Sequence, residues 1–131
     1  MKLKKEHIYY LYFWLNIPLH GEELKARNWF VKLVDKTYEE VLDVRKKKLE
    51  EFSDKDKDGK AVLVDGNYQI PDNKKEDYMK SLKEAMQEEI EFEVSKSDNF
   101  LKAVFKTVLE NKLKPMDLKE GLIWDEVISR L

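Results

Sequence analysis

Apolar side chains recur along this chain mostly at helical intervals. From about Glu22 to Phe52 there is neither Gly nor Pro, and Ala26, Trp29, Phe30, Leu33, Val34, Val41, Leu42, Leu49 and Phe52 keep a spacing near 3.6 residues. Charges fill the other side, with Asp43 four residues ahead of Lys47, which predicts a long amphipathic helix of roughly eight turns with one core-facing stripe. Tyr78, Met79, Leu82, Ala85, Met86 and Ile90 mark a second helix that Asp72 or Asn73 can cap. Phe100, Leu101, Val104, Phe105, Val108 and Leu109 mark a third, capped by Ser97 or Asp98 and ended before Pro115. The tail from about Leu118 to Leu131 repeats the pattern, weakened early by Gly121.

Two stretches break from that period. Ala61 to Val64 and Asn67 to Ile70 are short β-favouring runs around Asp65-Gly66, a dipeptide that tolerates positive φ in a two-residue hairpin turn, and Pro71 stops the second run. Glu89 to Val94 alternate acidic and apolar residues strictly, as a half-buried strand does. The expected architecture is α+β and predominantly α. A long central helix and further helices pack with one small antiparallel sheet made of the hairpin and residues Ile90 to Val94.

The run from Ile8 to Leu15 is the most unusual feature. Tyr9, Tyr10, Tyr12, Phe13 and Trp14 place five of the fifteen aromatics within six residues. Helix and strand both remain open for it. As a helix it is apolar around most of its circumference, so it either threads the middle of the fold or meets a partner. Tyr and Trp suit interfaces because each joins a large contact area to a polar tip. After Lys2, Lys4 and Lys5 the run looks superficially like a secretory signal. It carries hydroxyl and indole groups, however, and is followed by Asn16, Pro18 and His20 in place of small residues, so a cytoplasmic life is expected. It is also far short of the ~20 residues that span a bilayer.

Length and composition narrow the class. The 131 residues suit a single domain, 1–131; 42% hydrophobic and 40% charged residues describe a modest core under a densely charged surface. The 25 Lys and Arg nearly cancel 27 Asp and Glu, so general affinity for nucleic acid or anionic lipid is not expected. The absence of Cys removes disulfides, thiolate catalysis and Cys-ligated zinc.

Asp54, Asp56 and Asp58, followed by Gly59, match the first half of an EF-hand loop. Position twelve is Asp65, shorter than the usual bidentate Glu, position nine is Val62, and a strand follows where the motif needs a helix. The four aspartates stay a candidate calcium loop beside the plainer reading of a polar turn. Arg45-Lys46-Lys47-Lys48 fans around its helix among nearby acids and reads as a solvated face. Glu84, Glu88, Glu89, Glu91 and Glu93 have no Lys or Arg between them, and Glu89, Glu91 and Glu93 could line one face of a strand and bind a basic partner. The same row would also protect an edge strand.

Catalysis is not expected. The only His are His7 and His20, and no Gly-rich phosphate cradle, nucleophile elbow or His-Glu-x-x-His occurs. No cofactor is expected either.

One resemblance adds to these readings. Residues Lys25-Ala26-Arg27-Asn28-Trp29-Phe30-Val31-Lys32-Leu33, Lys47-Lys48-Leu49-Glu50-Glu51-Phe52, Asp56-Lys57-Asp58-Gly59-Lys60, Asn67-Tyr68-Gln69-Ile70 and Glu88-Glu89-Ile90-Glu91-Phe92 cover most of Glu22 to Val94. In this order they resemble an uncharacterised family of small phage-associated proteins, carrying a domain of unknown function, from Gram-positive tailed phages and prophages. The resemblance implies a phage or prophage origin, synthesis in the host bacterial cytoplasm with possible virion association, and no catalytic or cofactor residues to carry over. The function expected is a non-enzymatic interaction protein, a small accessory component in virion assembly that could self-associate. The alternative is an inhibitor of a host nucleic-acid enzyme or defence nuclease, acting through its acidic surface.

Overall fold

The apolar-periodic stretches fold as helices, and the chain order is β1 (Lys2–Lys4), α1 (Lys5–Trp14), α2 (Gly21–Phe52), β2 (Leu63–Val64), β3 (Asn67–Tyr68), α3 (Asp72–Ala85), β4 (Glu89–Glu91), α4 (Asn99–Glu110) and α5 (Leu118–Ile128). This is a computed structural model that describes residues 1–94, 99–111 and 114–130. The proposed caps Ser97 and Asp98, and Leu131 at the chain end, lie outside the described residues.

The 32 residues of α2 form a spine of roughly 48 Å. Helices α1 and α4 pack on it, as does α3, and α5 closes over α1. The main core joins Leu3, Ile8, Leu11 and Trp14 to Phe30 and Val34 of α2, with Leu101, Val104, Phe105 and Val108 of α4 and Ile123, Trp124 and Val127 of α5 behind them. Its rings meet edge-on or tilted: Trp14 against Trp124 at 5.7 Å, Phe30 against Phe105 at 5.9 Å, and Phe105 against Trp124 at 5.5 Å between centroids. A smaller cluster of Val41, Tyr78, Leu82 and Met86 holds α3 to the far half of α2.

The fold is predominantly α with a few antiparallel strands, as expected, but the sheet is not the expected one. Residues Ile90 to Val94 do not extend the hairpin. The strand is β4, Glu89–Glu91, and it pairs with β1 in the register Lys2 to Glu91, Leu3 to Ile90 and Lys4 to Glu89. Chemistry selects this pairing: two cations face two carboxylates on one side, where opposite charges support the ladder, and Leu3 is sealed on the other. Arg130 adds bonds from Nη1 to Lys2 O (3.0 Å) and Glu89 Oε1 (2.8 Å). The hairpin stands apart as β2 and β3, shorter than Ala61 to Val64 and Asn67 to Ile70, with a single bridge from Lys55 to Ala61 beyond it. Its turn has φ of 52° at Asp65 and 79° at Gly66, as a type I′ turn requires. The N-cap of α3 is Pro71, so Asp72 is its first helical residue.

Candidate interaction surface

The aromatic run folds as helix α1, and its surroundings divide the rings. His7, Ile8, Leu11 and Trp14, spaced one, four and seven residues on from the first, form the sealed stripe. Trp14 is 1% exposed and its indole N–H donates to Glu120 Oε2 (3.1 Å). Tyr9, Tyr10 and Tyr12 are half-buried, and Phe13 is 56% exposed. Tyr10 stacks on Trp14 and meets Tyr9 edge-on, so the sealed ring continues outward as an aromatic surface. Tyr12 lies flat on Tyr38 of α2, with centroids 3.7 Å apart, and donates to Asp35. Burial, then the Asp35 carboxylate, hold its phenol well above the usual range, so it stays a neutral donor.

Both ends of α1 are fixed by partners distant in sequence. At its start the backbone N–H groups of Lys5 and Glu6 donate to the carbonyls of Glu88 and Met86, each at 3.0 Å. At its end Arg27 Nη1 donates to Leu15 O (2.9 Å) and Ile17 O (2.8 Å), and Lys114 Nζ donates to Phe13 O (2.8 Å) and Asn16 O (2.6 Å). Cations are favourable there because carbonyls left unpaired at a helix end carry partial negative charge. Lys114 Nζ also lies 4.4 Å from the centroid of the Phe13 ring. The rings therefore stand on a helix clamped at both ends. Tyr10, Tyr12, Phe13 and Tyr38 line an open groove of about 510 Å³ with Glu120 at its edge.

The acidic row is distributed differently. Glu89 receives Arg130 and faces Lys4 across the ladder, and the Arg130 hydrogen bond holds its carboxyl below the usual value. Glu91 stands opposite Lys2 and accepts from the amino group of Met1 (3.1 Å), while Glu93 is exposed beyond the strand. Two of the three carboxylates thus already have cationic neighbours.

In the Asp54 to Asp65 segment, Asp56 Oδ1 accepts the backbone N–H groups of Asp58 (2.9 Å) and Lys60 (3.0 Å), which closes the polar turn on itself. The backbone of Asp54 bonds to Gln69 O and Val62 N, tying loop to hairpin, and Asp65 sits at the hairpin tip. Among the described residues, no three His, Cys, Asp or Glu side chains gather as a metal-holding group. Among them also, no helix is long and apolar enough to cross a membrane.

A second apolar surface was not singled out by the sequence reading. Leu118 at 81% exposure and Leu122 at 58% lie with Leu109 and Met116 around the edge of Trp124. The signal was present: six of the eleven residues of α5 are large and apolar, more than the one stripe of Ile123, Trp124 and Val127 can bury. The chain matches no protein-family model, no curated protein and no solved structure.

Proposed function

We propose that this protein is a non-enzymatic interaction protein that receives a protein partner on the rings of α1. The observation that carries this reading is the outward-facing Phe13, set among half-exposed tyrosines on a helix whose core stripe is already filled by Trp14. Aromatic surface left in contact with water is a standing source of binding free energy, about 25 cal/mol for each Å² that a partner covers. Because α1 is clamped at both ends, little ordering is needed when a partner docks.

Together with the phage resemblance, this favours a small accessory component of virion assembly, made in the host bacterial cytoplasm, with a phage structural protein as partner. The exposed leucines of α4 and α5 favour a second contact of the same kind, self-association. Inhibition of a host nucleic-acid enzyme through the acidic row draws less support, since Glu89 and Glu91 already face cations.

The test is affinity capture of the tagged chain from host cells in which such a phage is multiplying. Recovery of a phage structural protein, lost with Phe13→Ser, is expected. Recovery that Phe13→Ser leaves unchanged, or recovery of a host nuclease that disappears instead with Glu93→Gln, overturns the reading.

A further inference from the structure

Between α1, α3 and the far half of α2 lies a cavity of about 510 Å³, a volume within the range of small-molecule sites. Its apolar lining is formed by Tyr9 and Tyr10 on one side and Met79, Leu82 and Met86 on the other. Methionine side chains are flexible and polarizable, and adapt to differently shaped apolar bodies. Met79 lies largely open to solvent, while Leu82 and Met86 are buried beneath it.

The charge around this lining is one-sided. Arg45, Lys80, Lys83 and Lys119 border the cavity against only Glu6 and Glu76, in a protein whose net charge is −2. Several lysines elsewhere on α2 and α3 stand beside carboxylates, among them Lys47 with Asp43 (2.8 Å) and Lys75 with Asp72 (2.7 Å). Among the described residues, none of the four cations at the cavity has an ion-pair partner. Arg45 instead lies over the Tyr9 ring at 4.1 Å, and Glu6 is occupied by Gln87 Nε2 at 3.3 Å. Unpaired cations beside a wall of rings and thioethers attract an anion more strongly than the same cations surrounded by water.

We propose that this cavity binds a small anionic amphiphile. Its apolar body would lie on Tyr10, Met79 and Met86, and its single acidic group, a carboxylate, sulfonate or phosphate, would be held by Lys80 and Lys83. The cavity adjoins the groove at Phe13, with Tyr9 and Tyr10 lining both, while Phe13 itself lines only the groove.

A fluorescence titration with anilinonaphthalene sulfonate tests this, with N-phenylnaphthylamine as the same apolar body without the charge. The wild-type protein should bind the sulfonate saturably at one site, about tenfold or more tighter than the neutral probe, and the difference should shrink with added salt. Lys80→Gln combined with Lys83→Gln should remove most of that difference and leave the neutral probe unaffected; both lysines are exposed, so the fold is retained. Met79→Glu should weaken both probes, and Leu122→Ser neither. Equal affinity for the two probes, insensitivity to the double lysine change, loss of binding with Leu122→Ser, or no saturable binding would overturn the proposal.

Discussion

His7 is fully buried and lies where α1 begins. Its Nδ1 accepts the Lys4 N–H at 3.0 Å, so the ring proton sits on Nε2 and points to Glu126 Oε2, 2.9 Å away. A second proton would have to displace the Lys4 bond. Burial lowers its pKa below 6.5, with Arg130 and Lys4 adding to the effect, while the Glu126 hydrogen bond opposes it without prevailing. The unfolded chain therefore binds a proton at this position before the folded one does. Stability is complete above 6.5 and is lost as pH falls from there toward the lowered value. Glu126, held below 4.5 chiefly by its hydrogen bond from His7, acts with the same sign at lower pH. The melting temperature followed by circular dichroism should therefore drop between neutral and mildly acidic pH. His7→Gln, which does not titrate, should flatten that slope; an equal slope in both proteins would show that another group is responsible.

Among the elements, the hairpin makes the plainest prediction. Asp65 and Gly66 both hold positive φ, and the position where a Gly66 side chain would grow is open, so Gly66→Ala meets only backbone strain. It should cost about 1 to 2 kcal/mol in a urea titration; no measurable cost would mean that the turn has another form. This turn was legible in the sequence because Asp-Gly between β-favouring runs is a local signal. Helix α2 was legible because an unbroken apolar stripe without Gly or Pro cannot settle as anything shorter. Strand β1 was not legible, since three residues, Lys2-Leu3-Lys4, are too few to display a period. Its partner Glu89-Ile90-Glu91 lies more than eighty residues away, so the alternation there was read correctly and given the wrong neighbour. The clamp on α1 was hidden for the same reason: Arg27 and Lys114 act on carbonyls that no sequence pattern links to them.

At the scale of the whole molecule, the rings of α1 were legible as an excess over what a small core can hide, but not which of them would be outermost. That depends on α5, whose Trp124 seals Trp14, and on α2, whose Tyr38 covers Tyr12 and leaves Phe13 uncovered. The leucine patch on α4 and α5 went unread because each helix also supplies a buried stripe that accounts for its spacing. If that patch mediates self-association, sedimentation velocity should show a concentration-dependent dimer that Leu118→Gln with Leu122→Gln converts to monomer without loss of folded structure. A wild-type protein that stays monomeric at high concentration would remove self-association from the account.

The most direct measurement places a photocrosslinking benzophenone amino acid at position 13, in place of Phe13, and at the exposed Lys57 as a control, in bacterial cells infected with a phage of the proposed kind. Irradiation should join another protein to the chain at position 13 and not at position 57. No adduct at position 13, or the same adducts at both, would contradict a molecule that works through its exposed rings.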